Sequence, residues 1–117
     1  VSDVSDIKKA MVTTGLNRFP DTPCSPFELL ETLANEVQKV RIMGSAALDL
    51  CRVARGHSEA YFETGVFIWD TAAAGLIVTQ AGGRSECVLR EGKHRQGFLG
   101  TNGLIHNQLR AVVGHMF

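Results

Sequence analysis

Two carboxylates and two runs of small residues are the part of this sequence best suited to chemistry. Asp70 stands where the apolar run Val66-Phe67-Ile68-Trp69 ends and Thr71-Ala72-Ala73-Ala74-Gly75 begins, and Glu63 lies seven residues before it. Asp is a favoured N-cap because its carboxylate accepts the orphan N–H groups of a first helical turn, and Gly82-Gly83 supplies a stop. A helix over residues 71–81 is therefore predicted, with Asp70 as its cap. No residue in that span is charged, the composition of a helix buried on nearly every face. Small side chains in its first turn leave backbone N–H groups open to a phosphate or a hydroxyl-rich ligand. A carboxylate beside that opening could hold a divalent cation. The plainer role for Asp70 is capping alone, and caps outnumber metal ligands. Glu63, judged by type and spacing, reads as a surface acid. A strand, a glycine bend and a second strand would nevertheless bring both carboxylates to one sheet edge.

The second small-residue run is Gly44-Ser45-Ala46-Ala47. It follows a four-residue strand candidate at 40–43 and opens a helix predicted to reach Arg55, with Gly56 as its stop. Small residues at such a turn belong where a backbone must come close to another segment or to a ligand. Asp49, Arg52 and Arg55 are the only charges on this second helix, so most of its surface is expected to be covered.

Trp69-Asp70-Thr71-Ala72-Ala73-Ala74-Gly75, a helix, and then Ala81-Gly82-Gly83 together resemble the second signature of the inositol monophosphatase family, the lithium-sensitive, magnesium-dependent phosphatases of small sugar and polyol phosphates. Upstream, Arg41-Ile42-Met43-Gly44-Ser45-Ala46-Ala47 and the helix after it are similar to the family's strand, turn and helix. Ala60-Tyr61-Phe62-Glu63 resembles the strand that delivers a substrate-binding glutamate. The resemblance implies an α/β fold: a layered mixed sheet with flanking helices, like the C-terminal half of the family's αβαβα sandwich. It implies hydrolysis of inositol monophosphate with Mg2+ as cofactor. Asp70 would be a metal ligand that also contacts substrate, Glu63 would bind the polyol hydroxyls, and Gly44, Ser45 and Ala46 would offer backbone and hydroxyl contacts. A homodimer is implied as well. Related phosphatases of histidinol phosphate, fructose bisphosphate or nucleotide 3′-phosphates, or a catalytically silent binding or dimerisation module, are the alternatives.

With 117 residues, 44% hydrophobic and 21% charged, the chain is expected to be one soluble globular domain rather than a disordered segment. Its formal net charge is +0 and no basic run exceeds Lys8-Lys9, which leaves no footprint for nucleic acid or an anionic membrane. No apolar run approaches the roughly 18 residues of a membrane helix, and the first residues lack the basic region and apolar core of a signal peptide. A cytoplasmic location is expected. Cys24, Cys51 and Cys87 are odd in number and have no metal-ligand spacing, which suits reduced structural thiols. His57, His94, His106 and His115 are scattered and read as surface residues.

The remaining elements provide the scaffold. Residues 1–9 read as a solvated leading loop, 10–14 as a short strand ended by Gly15, and 17–25, with Pro20 and Pro23, as a loop. Ser25-Pro26-Phe27-Glu28 carries a cap, a first-turn proline and a capping-box acid. It starts a helix predicted to about Lys39 with Phe27, Leu30, Leu33, Ala34, Val37 and Val40 as the apolar side. Strands are expected at 60–63, 84–89 and 97–101, and a last helix at 104–116, giving about five strands and four helices. Alternation of strands and helices points to a layered α/β arrangement. The family's remaining acidic motifs, a glutamate-bearing segment and a D-P-[IL]-D-G-T run, have no counterpart among these residues, since Asp3 and Asp6 lack that context. One carboxylate cannot hold a catalytic magnesium pair. The chain is therefore expected to be the C-terminal part of a longer phosphatase, or a natural short protein without the chemistry, and to be inactive in isolation.

Overall fold

The computed structural model describes residues 1–16 and 25–116, the side chain of Met116 excepted; the expected loop with Pro20 and Pro23, and Cys24 with it, falls outside them. A 3-10 turn at Ile7–Lys9, capped by the Asp6 carboxylate, leads into β1 (Met11–Thr14). Then follow α1 (Pro26–Glu36), β2 (Lys39–Ile42), α2 (Ala46–Ala54), β3 (Ala60–Phe67), α3 (Ile68–Gln80), β4 (Arg84–Glu91), β5 (Arg95–Thr101) and α4 (His106–Val113). The expected five strands and four helices are present among the described residues, and they form the layered mixed-sheet α/β fold expected.

One sheet has the order β2-β1-β3-β5-β4. β1 runs parallel to both β2 and β3, while β5 is antiparallel to β3 and β4. Period-two alternation sends successive side chains to opposite faces. Val12, Ala60, Phe62 and Leu99 pack with Leu29 and Leu33 of α1 and with Leu109 and Val113 of α4. Tyr61 and Phe98 pack with Leu50 and Val53 of α2 and with Ala74 and Val78 of α3. The crossover β1-α1-β2 therefore lies on one face and β2-α2-β3 on the other. Such a reversal opens a crevice at the C-terminal ends of the parallel strands.

Four expectations are corrected. α3 begins at Ile68, not Thr71, and Asp70 is its third helical residue rather than its N-cap: the Asp70 carboxylate accepts a hydrogen bond from the Phe67 N–H at 3.0 Å. An acid at this position reaches back to the cap residue, so the same chemistry acts three residues inside the helix. On α1, Phe27 is 69% exposed, whereas Leu29, Leu33 and the following Val37 are buried. Two apolar rows at four-residue spacing lie side by side on that helix, and the sheet takes the Leu29 row. β3 is one continuous strand with a bulge between Glu63 and Val66 rather than two strands about a bend. Finally, α3 is not covered on every face within this chain: Thr71, Ala74, Gly75 and Val78 are buried, but Trp69 is 64% exposed and Leu76 60%.

His106 also departs from expectation, being 1% exposed rather than a surface residue. The Gly103 N–H donates to Thr101 Oγ1 at 3.0 Å. Thr101 Oγ1 lies 2.9 Å from His106 Nδ1, and His106 Nε2 lies 3.0 Å from Glu86 Oε2, whose other oxygen accepts from Arg110 Nε. One assignment gives each of these groups a partner: the Thr101 hydroxyl donates to Nδ1, and Nε2–H donates to Glu86. Burial, only partly offset by the Glu86 hydrogen bond, holds the His106 imidazole below its usual 6.5. Glu86 is also partly desolvated, which pushes its carboxyl up, but the donors His106 and Arg110 outweigh that and leave it below 4.5.

Two measurements check this packing. In chemical denaturation Leu33→Ala should cost about 2–5 kcal/mol, whereas Phe27→Ala should cost no more than ~0.5 kcal/mol; similar losses at both sites would refute the assigned helix face. Because the unfolded chain takes up a proton at position 106 before the folded one does, stability is full above about pH 6.5 and declines as the pH falls through the depressed folded value. Glu86 adds a second decline below about pH 4.5 by the same sign. Melting temperature should drop between pH 7 and pH 5.5, and His106→Gln should flatten that dependence.

Candidate functional site

The crevice at the strand ends is a cavity of about 410 Å³ lined by Thr14, Gly15, Leu16, Ile42, Gly44, Ser45, Ala46, Ala47, Glu63, Val66 and Asp70. All five residues singled out in the sequence as candidate site residues, Gly44, Ser45, Ala46, Glu63 and Asp70, line this one cavity. They come from three separate elements. With Thr14, Ala47 and Val66, the residues Gly15, Leu16 and Ile42 complete the wall, and these last three were not singled out as site residues. Their only sequence signal is position, since each lies at or just past the C-terminal end of a parallel strand.

At the β2–α2 turn, Gly44 has φ +86°, a left-handed conformation that an L side chain seldom adopts. Ser45 then caps α2, its Oγ accepting from the Leu48 N–H at 3.2 Å. With Oγ acting as acceptor there, the hydroxyl proton is free to be donated elsewhere. The first N–H groups of α2 open at the same turn, a setting suited to anionic or hydroxyl oxygens. Further along α2, burial raises the Asp49 carboxyl above its usual 3.8, and Arg52, hydrogen-bonded to it at 3.0 Å, opposes that shift.

Glu63 is only 6% exposed and sits in mid-strand, so it is not the surface acid that its sequence context suggested. The fully buried Tyr61 hydroxyl donates to its Oε1 at 3.2 Å. Burial, reinforced by the Glu63 negative charge, pushes the Tyr61 phenol well above its usual range, so it remains a neutral donor. The bulge inserts one extra residue between Glu63 and Val66. An extra residue resets the alternation, and Val66 lines the same cavity as Glu63.

Asp70 reaches the cavity because β3 passes into α3 without a loop. One of its oxygens is held by the Phe67 N–H; among the described residues the other has no hydrogen-bond partner. The start of α3 is fastened to the β4–β5 hairpin, with the Ile68 N–H donating to the His94 carbonyl at 2.8 Å. The Phe67 and Trp69 rings stack at 4.8 Å and Arg95 lies 5.5 Å over the Phe67 ring. These contacts hold the Asp70 turn against the sheet.

A hard divalent cation takes six or more oxygen ligands. Among the described residues no group of three or more His, Cys, Asp or Glu side chains could hold a metal ion. The partner-free oxygen of Asp70 fits one position of such a shell, and the rest would have to come from outside this cavity wall. No helix of the described residues is long and apolar enough to cross a membrane.

Comparison with known proteins gives the chain a family. Residues 1–113 match the profile of the inositol monophosphatase family. Human inositol monophosphatase 1 is 42% identical over 86 residues, covering 71% of this chain and 31% of the relative. The Nus factor SuhB of Pasteurella multocida is 45% identical over 85 residues, covering 71% of this chain and 32% of its own length. Among solved structures, an inositol monophosphatase from Anabaena superposes with a TM-score of 0.85 at 33% identity, over 100% of this chain and 48% of that one. Mycobacterium tuberculosis SuhB gives 0.78 at 33% identity, over 98% and 45%. The chain thus spans 31–32% of these curated relatives and 45–48% of these structures. A profile match over residues 1–113, with solved family structures of the same fold, makes this chain a member of the inositol monophosphatase family.

Proposed function

We propose that this chain is the C-terminal portion of a magnesium-dependent phosphatase that hydrolyses inositol monophosphate. The observation that carries the reading is the convergence of Gly44, Ser45, Ala46, Glu63 and Asp70, from three elements, on one cavity at the ends of parallel strands. Family membership supports the reaction class. The partial cover of the relatives' length supports a larger protein, and so does the open apolar row of α3, which gives further protein a surface to lie against.

In this reading Asp70 holds one side of the metal site, its orientation set by the hydrogen bond from Phe67. Bound Mg2+ would neutralise charge on the phosphoryl group and activate a water for attack. Glu63 accepts hydrogen bonds from polyol hydroxyls, for which a carboxylate with two acceptor oxygens is suited. Ser45 donates its hydroxyl proton, and the opening turn of α2 at Ala46 offers N–H groups to ligand oxygens. Asp70 alone cannot complete the metal shell, so in this reading the isolated chain is inactive. Homodimer assembly and a cytoplasmic location belong to the same proposal and rest on the family resemblance.

Asp70→Asn in the full-length protein should abolish magnesium-dependent phosphate release while leaving the melting curve nearly unchanged; undiminished turnover would refute the metal role. Glu63→Gln should act mainly on binding, raising KM for inositol monophosphate roughly tenfold, about 1.4 kcal/mol. An unchanged KM would remove Glu63 from the substrate site.

A further inference from the structure

We propose that Tyr61 and Gly15 are positioning residues that together form a clasp at Oε1 of the Glu63 carboxylate, Tyr61 by a hydrogen bond and Gly15 by the space its missing side chain leaves, and so set its aim into the cavity. The inference rests on the reading of Glu63 as the acid that binds substrate hydroxyls, and it adds what holds that acid in place.

Tyr61 and Glu63 are two residues apart on β3 and share a face. The Tyr61 side chain is fully buried among the α2 and α3 contacts, and its hydroxyl reaches Glu63 Oε1. A phenolic O–H in such a place needs an acceptor, and the acid, in turn, has one oxygen tethered. Gly15 lies against the same oxygen. β1 and β3 pair in parallel with Val12 opposite Ala60 and Thr13 opposite Tyr61, so two further steps bring Gly15 level with Glu63. A Cβ at position 15 would overlap Oε1 and come within 2.6 Å of Cδ. The Gly15 backbone is not in the left-handed region; a side chain is excluded there by the carboxylate. Tyrosine holds the carboxylate by a hydrogen bond, and glycine permits that position by carrying no side chain. A carboxylate held in one rotamer loses less freedom when it meets a ligand.

The test uses the full-length protein with inositol monophosphate as substrate. Tyr61→Phe should raise KM about tenfold with kcat within about twofold, and the same change in a Glu63→Gln background should add no more than about twofold. An equal rise in both backgrounds would show that Tyr61 acts through packing and would overturn the proposal. Gly15→Ala should also raise KM, and Glu63→Asp, one methylene shorter, should suppress most of that rise; no suppression would count against the clasp. A further readout is independent of turnover: the 13C resonance of the Glu63 carboxyl should shift in both Tyr61→Phe and Gly15→Ala. If that resonance moves while Glu63→Gln leaves KM unchanged, the clasp stands and the substrate role falls. If it stays in place in both variants, the clasp falls, whatever Glu63 does to substrate.

Discussion

Strand β3 runs through the middle of the sheet with helices on both faces, so each of its side chains must be apolar or find a polar partner. All but the last of its residues, Ala60 to Val66, are buried. Glu63 is the charged group in that buried stretch, and an unsupported carboxylate there would be costly. The fold meets that cost locally. Tyr61 donates to the carboxylate, Gly15 leaves it room, and the bulge after Glu63 brings Val66 to the same cavity. The last residue of the strand, Phe67, then gives its N–H to Asp70, and the helix starts without an intervening loop. Both acids of the cavity thus depend on how one buried strand satisfies its polar groups.

The crossovers explain why a cavity exists at that place. α1 leaves β1 across one face of the sheet and α2 leaves β2 across the other. The helices α1 and α2 therefore lie on opposite faces, and the space at the strand ends holds Gly15, the Gly44–Ala46 turn and the two carboxylates. Such a crevice forms by topology before any side chain is chosen. Side chains then decide what it can bind, and here they offer acceptor oxygens from two acids, a hydroxyl donor and the opening turn of a helix.

The same layers leave one surface unfinished. The inner row of α3 closes on Ala74 and Val78 against the sheet, while Trp69, Leu76 and Ile77 face outward. A helix whose one charge is Asp70 in its first turn, with an open apolar row beyond it, is poorly suited to solvent. The His106 network shows the opposite solution on the other side of the sheet, where Thr101, Glu86 and Arg110 supply a partner for each imidazole nitrogen or its acceptor.

Much of the site was legible in the residues themselves because its signals are local. Glycine followed by Ser45 specifies a capped helix start, an uncharged helix led by Asp70 marks a special turn, and five strands separated by helices determine the layered class. Local signals did not tell which of two adjacent apolar rows of α1 would meet the sheet. They also could not show that Glu63 lies inside, because burial depends on neighbours remote in the chain. His106 was hidden for the same reason, its acceptor and donor lying on β4 and β5. The position of Asp70 three residues inside its helix turned on a single backbone hydrogen bond, which the composition of the turn leaves undecided. Residue types determined which groups could do chemistry; only the packing of α1, α2 and β1 around β3 decided which of them share a cavity, since a carboxylate is placed by the non-local contacts that remove it from water.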